Sequence, residues 1–149
     1  MADAVWRMEH DYYLTRVASF RKGDTVIDVG AHVGVLSIAL AKKFPFLTVY
    51  ALEPDPLNYA SLQQNIVRNN VNNVIALQVA VSADGLPRTL YTSARDSAWA
   101  TTEALMIPPH RVLRSVLVNT ITLEQLFQKY AIAHCRLLKM TAHGATYTA

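Results

Sequence analysis

Between Thr25 and Val81 short, nearly continuous apolar runs alternate with longer segments whose apolar residues recur at helical spacing. Thr25-Val26-Ile27-Asp28-Val29 is a strand with one carboxylate inside it, and Val33 to Lys43 is an apolar helix that stops before Pro45. Leu47 to Leu52 predicts a second strand, ending at Glu53-Pro54. Leu57 to Asn70, with Leu57, Ala60, Leu62, Ile66 and Val67, predicts a second helix closing in an Asn-rich turn. Val74 to Val81 predicts a third strand. Three strands joined by two helices make a βαβαβ unit over residues 25–82, with a parallel sheet and right-handed crossovers.

The pattern differs on either side of this unit. Residues 1–24 predict an opening helix, with Val5, Met8, Tyr12, Val17 and Phe20 near helical spacing, and a turn at Arg21-Lys22-Gly23-Asp24. Residues 83–149 predict an insertion, a helix and a fourth core strand. Asp84-Gly85 and Pro87 mark a turn, Arg88 to Thr92 is a two-sided strand, and Ser115 to Thr120 is its partner. Residues 93–110, closed by Pro108-Pro109, show no period and predict a long loop or a lid. Thr122 to Tyr130 is a helix that Thr122 can cap, and Arg136 to Met140 is the last strand. The expected fold is α/β and Rossmann-like, one domain with strand order 3-2-1-4.

Composition narrows the class. Of 149 residues 52% are hydrophobic and 17% charged, enough for a substantial core and too apolar for a disordered chain. One cysteine, Cys135, excludes a disulfide scaffold and a four-cysteine zinc site, and a reducing cytoplasm is the expected compartment. The apolar stretches fall short of the ~18 residues that a membrane span needs, and no signal-peptide core opens the chain. The net charge of +3 is concentrated after residue 104, but no dense basic run signals nucleic acid. His110, Arg111 and Arg114 read as a solvated loop. His10, His110 and His134 lack metal-ligand spacing, so no metal site is expected.

The chemistry concentrates where the first strand meets the first helix, the place at which open parallel sheets bind nucleotides. Here the chain reads Asp28-Val29-Gly30-Ala31-His32-Val33-Gly34. Gly30 and Gly34 remove side chains where a ligand would meet backbone, and the helix start offers free N–H groups. Glu53 stands at the end of the second strand, where a carboxylate can accept ribose hydroxyls. A dinucleotide fingerprint would need glycine at 32 and 35, where this chain has His32 and Val35, and no phosphate loop of Gly-Lys-Ser/Thr type occurs. An adenosine ligand without a pyrophosphate remains, and S-adenosylmethionine fits.

The run from Val26 to Gly34, then Ala51-Leu52-Glu53-Pro54-Asp55, Asn69-Asn70-Val71, Ala80-Val81-Ser82, Thr120-Ile121-Thr122-Leu123-Glu124 and Leu137-Leu138-Lys139-Met140 resembles the FkbM-like methyltransferases over residues 20–147. The resemblance implies a class I fold with a mostly parallel sheet, incomplete here at its C-terminal end, and S-adenosylmethionine as cofactor. It also implies O-methyl transfer to a small-molecule or glycan-like hydroxyl acceptor. By resemblance Asp28, Gly30, Ala31, His32, Gly34 and Glu53 line the cofactor.

The chain departs from that family at His32, where Asn is usual, and at Thr141-Ala142-His143-Gly144-Ala145-Thr146, where three carboxylates are expected. His143 is then the imidazole left to act as general base, against the plainer reading of an exposed histidine. Weakened or absent turnover is the expectation, with a non-catalytic nucleotide-binding scaffold as the alternative. The last strand, without its usual neighbour, offers an edge through which two copies could pair. Several residues also have purely structural readings. Gly30 and Gly34 can be turn and packing glycines, and Asp28 can serve the turn alone. His32 suits a left-handed backbone. Tyr91 and Trp99 pack by default, and Lys139 reads as a sheet-end cation.

Overall fold

The computed structural model describes residues 19–93, 100–102 and 113–141. In chain order these hold β1 (Thr25–Val29), α1 (Val35–Lys43), β2 (Thr48–Leu52), α2 (Pro56–Arg68), β3 (Val74–Leu77) and β4 (Ala80–Val81). There follow β5 (Arg88–Ser93), β6 (Ala100–Thr101), β7 (Leu113–Val118), β8 (Thr120–Ile121), α3 (Leu123–Lys129) and β9 (Leu137–Met140). The expected opening helix over 3–20 lies outside the described residues, apart from its last two positions.

The main sheet is parallel, in the order β3-β2-β1-β9. This is the Rossmann-like α/β order that the sequence predicts. β1 and β2 are its inner strands, and both are buried from their second residue to their last, which is why they read as unbroken apolar runs. Successive side chains of β1 alternate between two cores. Val26 joins Val49, Leu36, Leu40 and Ala41 on the α1 face, while Ile27 and Val29 join Tyr50, Leu52 and Leu126 on the α3 face. Burying each such Leu or Val contributes about 1.5 to 3 kcal/mol.

The helices start and stop for legible reasons. The Asp55 side chain accepts hydrogen bonds from the Leu57 and Asn58 amides, and Pro56 occupies a first-turn position that needs no amide hydrogen. Thr122 and Gln125 form a reciprocal capping box on α3, as Thr122 led one to expect. Lys42 and Lys43 end α1, where cations complement the helix dipole.

Two expectations need correction. The run 74–81 is not one strand: Leu77 is the last residue paired with β2, whereas Ala80 and Val81 pair with β8. The Glu53 amide takes the Leu77 carbonyl at 3.0 Å, and Pro54 has no amide to continue the ladder, so the chain leaves the sheet. Within the predicted loop 93–110, Ala100 and Thr101 pair antiparallel with Thr92 and Tyr91. Positions 94–99 and 103–110, including Trp99 and His110, lie outside the described residues, as does Arg111. The two-sided strand at 88 forms an antiparallel hairpin with Leu113–Val118, shifted from the expected 115–120, and Thr120 pairs instead with β4. Among the described residues no helix is long and apolar enough to cross a membrane.

Candidate functional site

The carboxyl ends of β1 and β2 carry the site. β1 runs into a turn in which Gly30, His32 and Gly34 have φ of 74°, 55° and 89°. Left-handed backbone suits glycine and is tolerated by histidine. The Gly30 and Ala31 amides both donate to the Leu52 carbonyl, at 2.9 and 3.0 Å, so the turn is clipped to the end of β2. Asn65 of α2 donates to the Val33 carbonyl at 2.9 Å and holds the turn from the other side.

Glu53 stands where β2 ends and is 5% exposed. Its Oε2 accepts the His32 amide at 2.7 Å, and its Oε1 accepts the Asp55 amide at 2.9 Å. Burial pushes its carboxyl above the ordinary value, against these amide hydrogen bonds and one from Asn58, and the neighbouring Asp55 charge pushes the same way as burial. A carboxylate offers about four lone-pair sites. The two main-chain amides leave it with acceptor capacity at the turn.

The predicted residues divide by what they touch. Asp28 is fully buried; Ser37 donates to its Oδ2 at 2.7 Å, and the Lys139 ammonium sits 2.8 Å from its Oδ1. That approach is an ion pair without hydrogen-bond alignment. Lys139 also donates to the Gly30 carbonyl at 3.2 Å. Asp28 therefore braces the turn from within the sheet. Ala31 packs against Ala51 and Leu62. At Gly34 an added Cβ would lie 2.4 Å from Leu62 Cδ1, so the space its missing side chain leaves is taken by α2. No side chain caps α1, whose first turn faces the end of this strand-helix junction. His143 and Thr146 lie outside the described residues. Thr141 is within them, its amide donating to the Val29 carbonyl at 3.0 Å.

Two ion pairs of the site escaped the sequence reading. Arg114 is not on a solvated loop: it lies in β7, and its guanidinium pairs with the Asp55 carboxylate. Lys139 stands directly across from Asp28 in the β1–β9 register. A lone acid and a lone base within two apolar strands were the signal for that pair. Among the described residues no group of three His, Cys, Asp or Glu side chains could hold a metal ion.

The arrangement fits S-adenosylmethionine on this chain's own geometry: a buried carboxylate with spare acceptor capacity lies beside a glycine turn and an uncapped helix start. Known proteins agree on the class. The 31-O-demethyl-FK506 methyltransferase FkbM of Streptomyces tacrolimicus is 39% identical over 84 residues, 55% of this chain and 32% of that protein. A ribosomal protein L11 methyltransferase of Anoxybacillus flavithermus is 42% identical over 57 residues, 38% of this chain and 18% of that one. The solved structure of M. jannaschii TYW2 in complex with AdoMet is 33% identical, with a TM-score of 0.42, over 47% of this chain and 31% of that chain. This chain spans about a third or less of the length of the curated relatives it matches. The family model for the TRM5/TYW2 methyltransferase domain matches residues 2–86, more than half of the sequence. The likeness to FkbM-like enzymes thus holds at the level of class I methyltransferases, and the chain belongs to the TRM5/TYW2 methyltransferase domain family.

Proposed function

We propose that this chain is the S-adenosylmethionine-binding part of a methyltransferase that methylates a hydroxyl oxygen on a small-molecule or glycan-like acceptor. The observation that carries the reading is the Glu53 carboxylate, fastened at the end of β2 by the His32 and Asp55 amides, where ribose hydroxyls can donate to it. The 31-O-demethyl-FK506 methyltransferase supports an oxygen acceptor on a small molecule, although other relatives are named for a ribosomal protein and a tRNA.

When bound, the cofactor supplies a methyl group on an electrophilic sulfonium. The chain contributes position. Glu53 would hold the ribose and the backbone of residues 30–34 would meet the amino-acid end, its shape set by Asp28, Gly30, Ala31, His32 and Gly34. Orientation of this kind is worth about 7 kcal/mol or more when the reacting atoms are held in line. His143 is the residue proposed to take the acceptor's proton.

Calorimetry with S-adenosylmethionine and S-adenosylhomocysteine, followed by labelled methyl transfer to hydroxylated acceptors, tests the proposal. Binding with weak label on oxygen, lost in His143→Ala, supports it, and binding with no label keeps the cofactor assignment but overturns His143 as base in this chain. Label on protein or tRNA alone overturns the acceptor, and no binding of either nucleoside overturns the cofactor assignment in favour of a non-catalytic scaffold.

A further inference from the structure

Two acids stand side by side at the end of β2. Glu53 and Asp55 are separated only by Pro54 and are 5% and 3% exposed. The Asp55 amide donates to Glu53 Oε1, so the two are joined by main chain as well as by charge. Asp55 Oδ1 is taken by the Leu57 and Asn58 amides at 2.8 and 3.1 Å, which leaves Oδ2 for a cation. That cation is Arg114, which reaches it from a position 59 residues along the chain.

We infer that Arg114 is a positioning residue for the ribose-binding carboxylate: its guanidinium, delivered by the β5–β7 hairpin, neutralises Asp55, whose amide holds Glu53 in place. The inference rests on the reading of Glu53 given above.

The geometry favours this over an ordinary surface ion pair. The Asp55 side chain is 4% exposed whereas that of Arg114 is 41% exposed, so a cation is brought from the solvent side onto an acid that water does not reach. Thr92, buried in β5, accepts from Arg114 Nε at 3.3 Å and fixes the plane of the guanidinium. The groups acting on Glu53 are few. From the turn comes the His32 amide; from α2 comes the Asn58 side chain; from its cap come the Asp55 amide and charge; Arg114 acts from β7 through Asp55. The Asp55 charge already opposes ionisation of Glu53, so an Asp55 stripped of its counterion opposes it more strongly. The hairpin, which the cofactor-binding βαβαβ unit does not contain, thereby limits how far the Asp55 charge opposes ionisation of that unit's main acid.

The test is a carbon-13 titration of the Glu53 carboxyl in the full chain without cofactor, with fold checked by amide spectra. Arg114→Met should raise the Glu53 midpoint above that of wild type, because the nearby Asp55 charge has lost its counterion. Asp55→Asn, which can still cap α2, should lower it below wild type, and the double variant should return to wild type or below. In parallel, Arg114→Met should shift upward the pH below which S-adenosylhomocysteine affinity falls. An unchanged Glu53 midpoint in folded Arg114→Met overturns the inference, because a purely mechanical staple would move melting temperature alone. Should Arg114→Met not fold, an unmoved or raised midpoint in Asp55→Asn overturns it equally. If wild type fails to bind S-adenosylhomocysteine, the ribose role of Glu53 falls, while the titration still decides what Arg114 does.

Discussion

Lys139 faces Asp28 across the β1–β9 ladder, its ammonium 2.8 Å from a carboxylate that has no exposure to solvent. Removing one member of such a pair strands the other. Lys139→Met should cost about 3 to 5 kcal/mol in urea denaturation, whereas Lys139→Met combined with Asp28→Asn should recover much of that loss. A double variant no better than the single would show that Lys139 acts by packing and not by charge.

Glu53→Gln is the cleaner probe of the nucleoside site. Glu53→Ala would orphan the His32 and Asp55 amides and lower stability, which would confuse a binding measurement. Gln loses the charge and keeps one acceptor oxygen, while its NH2 faces the other main-chain N–H, so melting temperature is measured beside affinity and the loss of stability should be smaller than in Glu53→Ala. Its affinity for S-adenosylhomocysteine, measured by calorimetry, should fall by about 1.5 to 3 kcal/mol, the range for charge-assisted hydrogen bonds.

The raised Glu53 carboxyl makes pH act in opposite senses on binding and on stability. A carboxyl raised above its unfolded value favours the fold when protonated. That contribution is full below the unfolded value and is lost as pH rises through the folded one. Ribose hydroxyls need the ionised form, so binding is lost as pH falls through the same folded value. The thermal shift produced by S-adenosylhomocysteine should therefore shrink on acidification at a midpoint above 4.5, the ordinary value, and Glu53→Gln should abolish that midpoint.

Gly34→Ala tests the junction itself. The residue has φ of 89°, and a Cβ there would press on Leu62 of α2. Left-handed strain of about 1 to 2 kcal/mol adds to overpacking of about 1 to 3 kcal/mol, so a loss of about 2 to 5 kcal/mol is expected in thermal unfolding. The penalty should be smaller in a Leu62→Val background; an equal penalty there would place the whole effect in the backbone.

The sheet was legible because parallel strands buried on both faces leave unbroken apolar runs, and residues 25–29 and 48–52 do so. The position of Glu53 was legible for a related reason, since the end of a strand next to a glycine turn is a place that topology defines. The short pairs at 80–81 and 100–101 were not, because two-residue ladders are set by what the neighbouring chain offers and leave no period. Arg114 was missed because its partner is 59 residues away, and spacing along one segment says nothing of such a meeting. At Gly34 the sequence left two readings, ligand contact or packing, and only the position of α2 revealed that Leu62 fills the space of the missing side chain.

The ion pair between β1 and β9 also orders events in time. Gly30 and Lys139 contact each other across 109 residues of chain, so on a ribosome adding about 5 to 20 residues per second β1 waits roughly 5 to 20 seconds for its second neighbour. Through that interval one edge of β1 stands open on the nascent polypeptide, a template for pairing with other chains. Asp28 does not point along that edge, because its side chain lies under α1, where Ser37 donates to it at 2.7 Å. Asp28 is thus held by Ser37 as soon as α1 packs on β1, and gains its counterion only when Lys139 arrives.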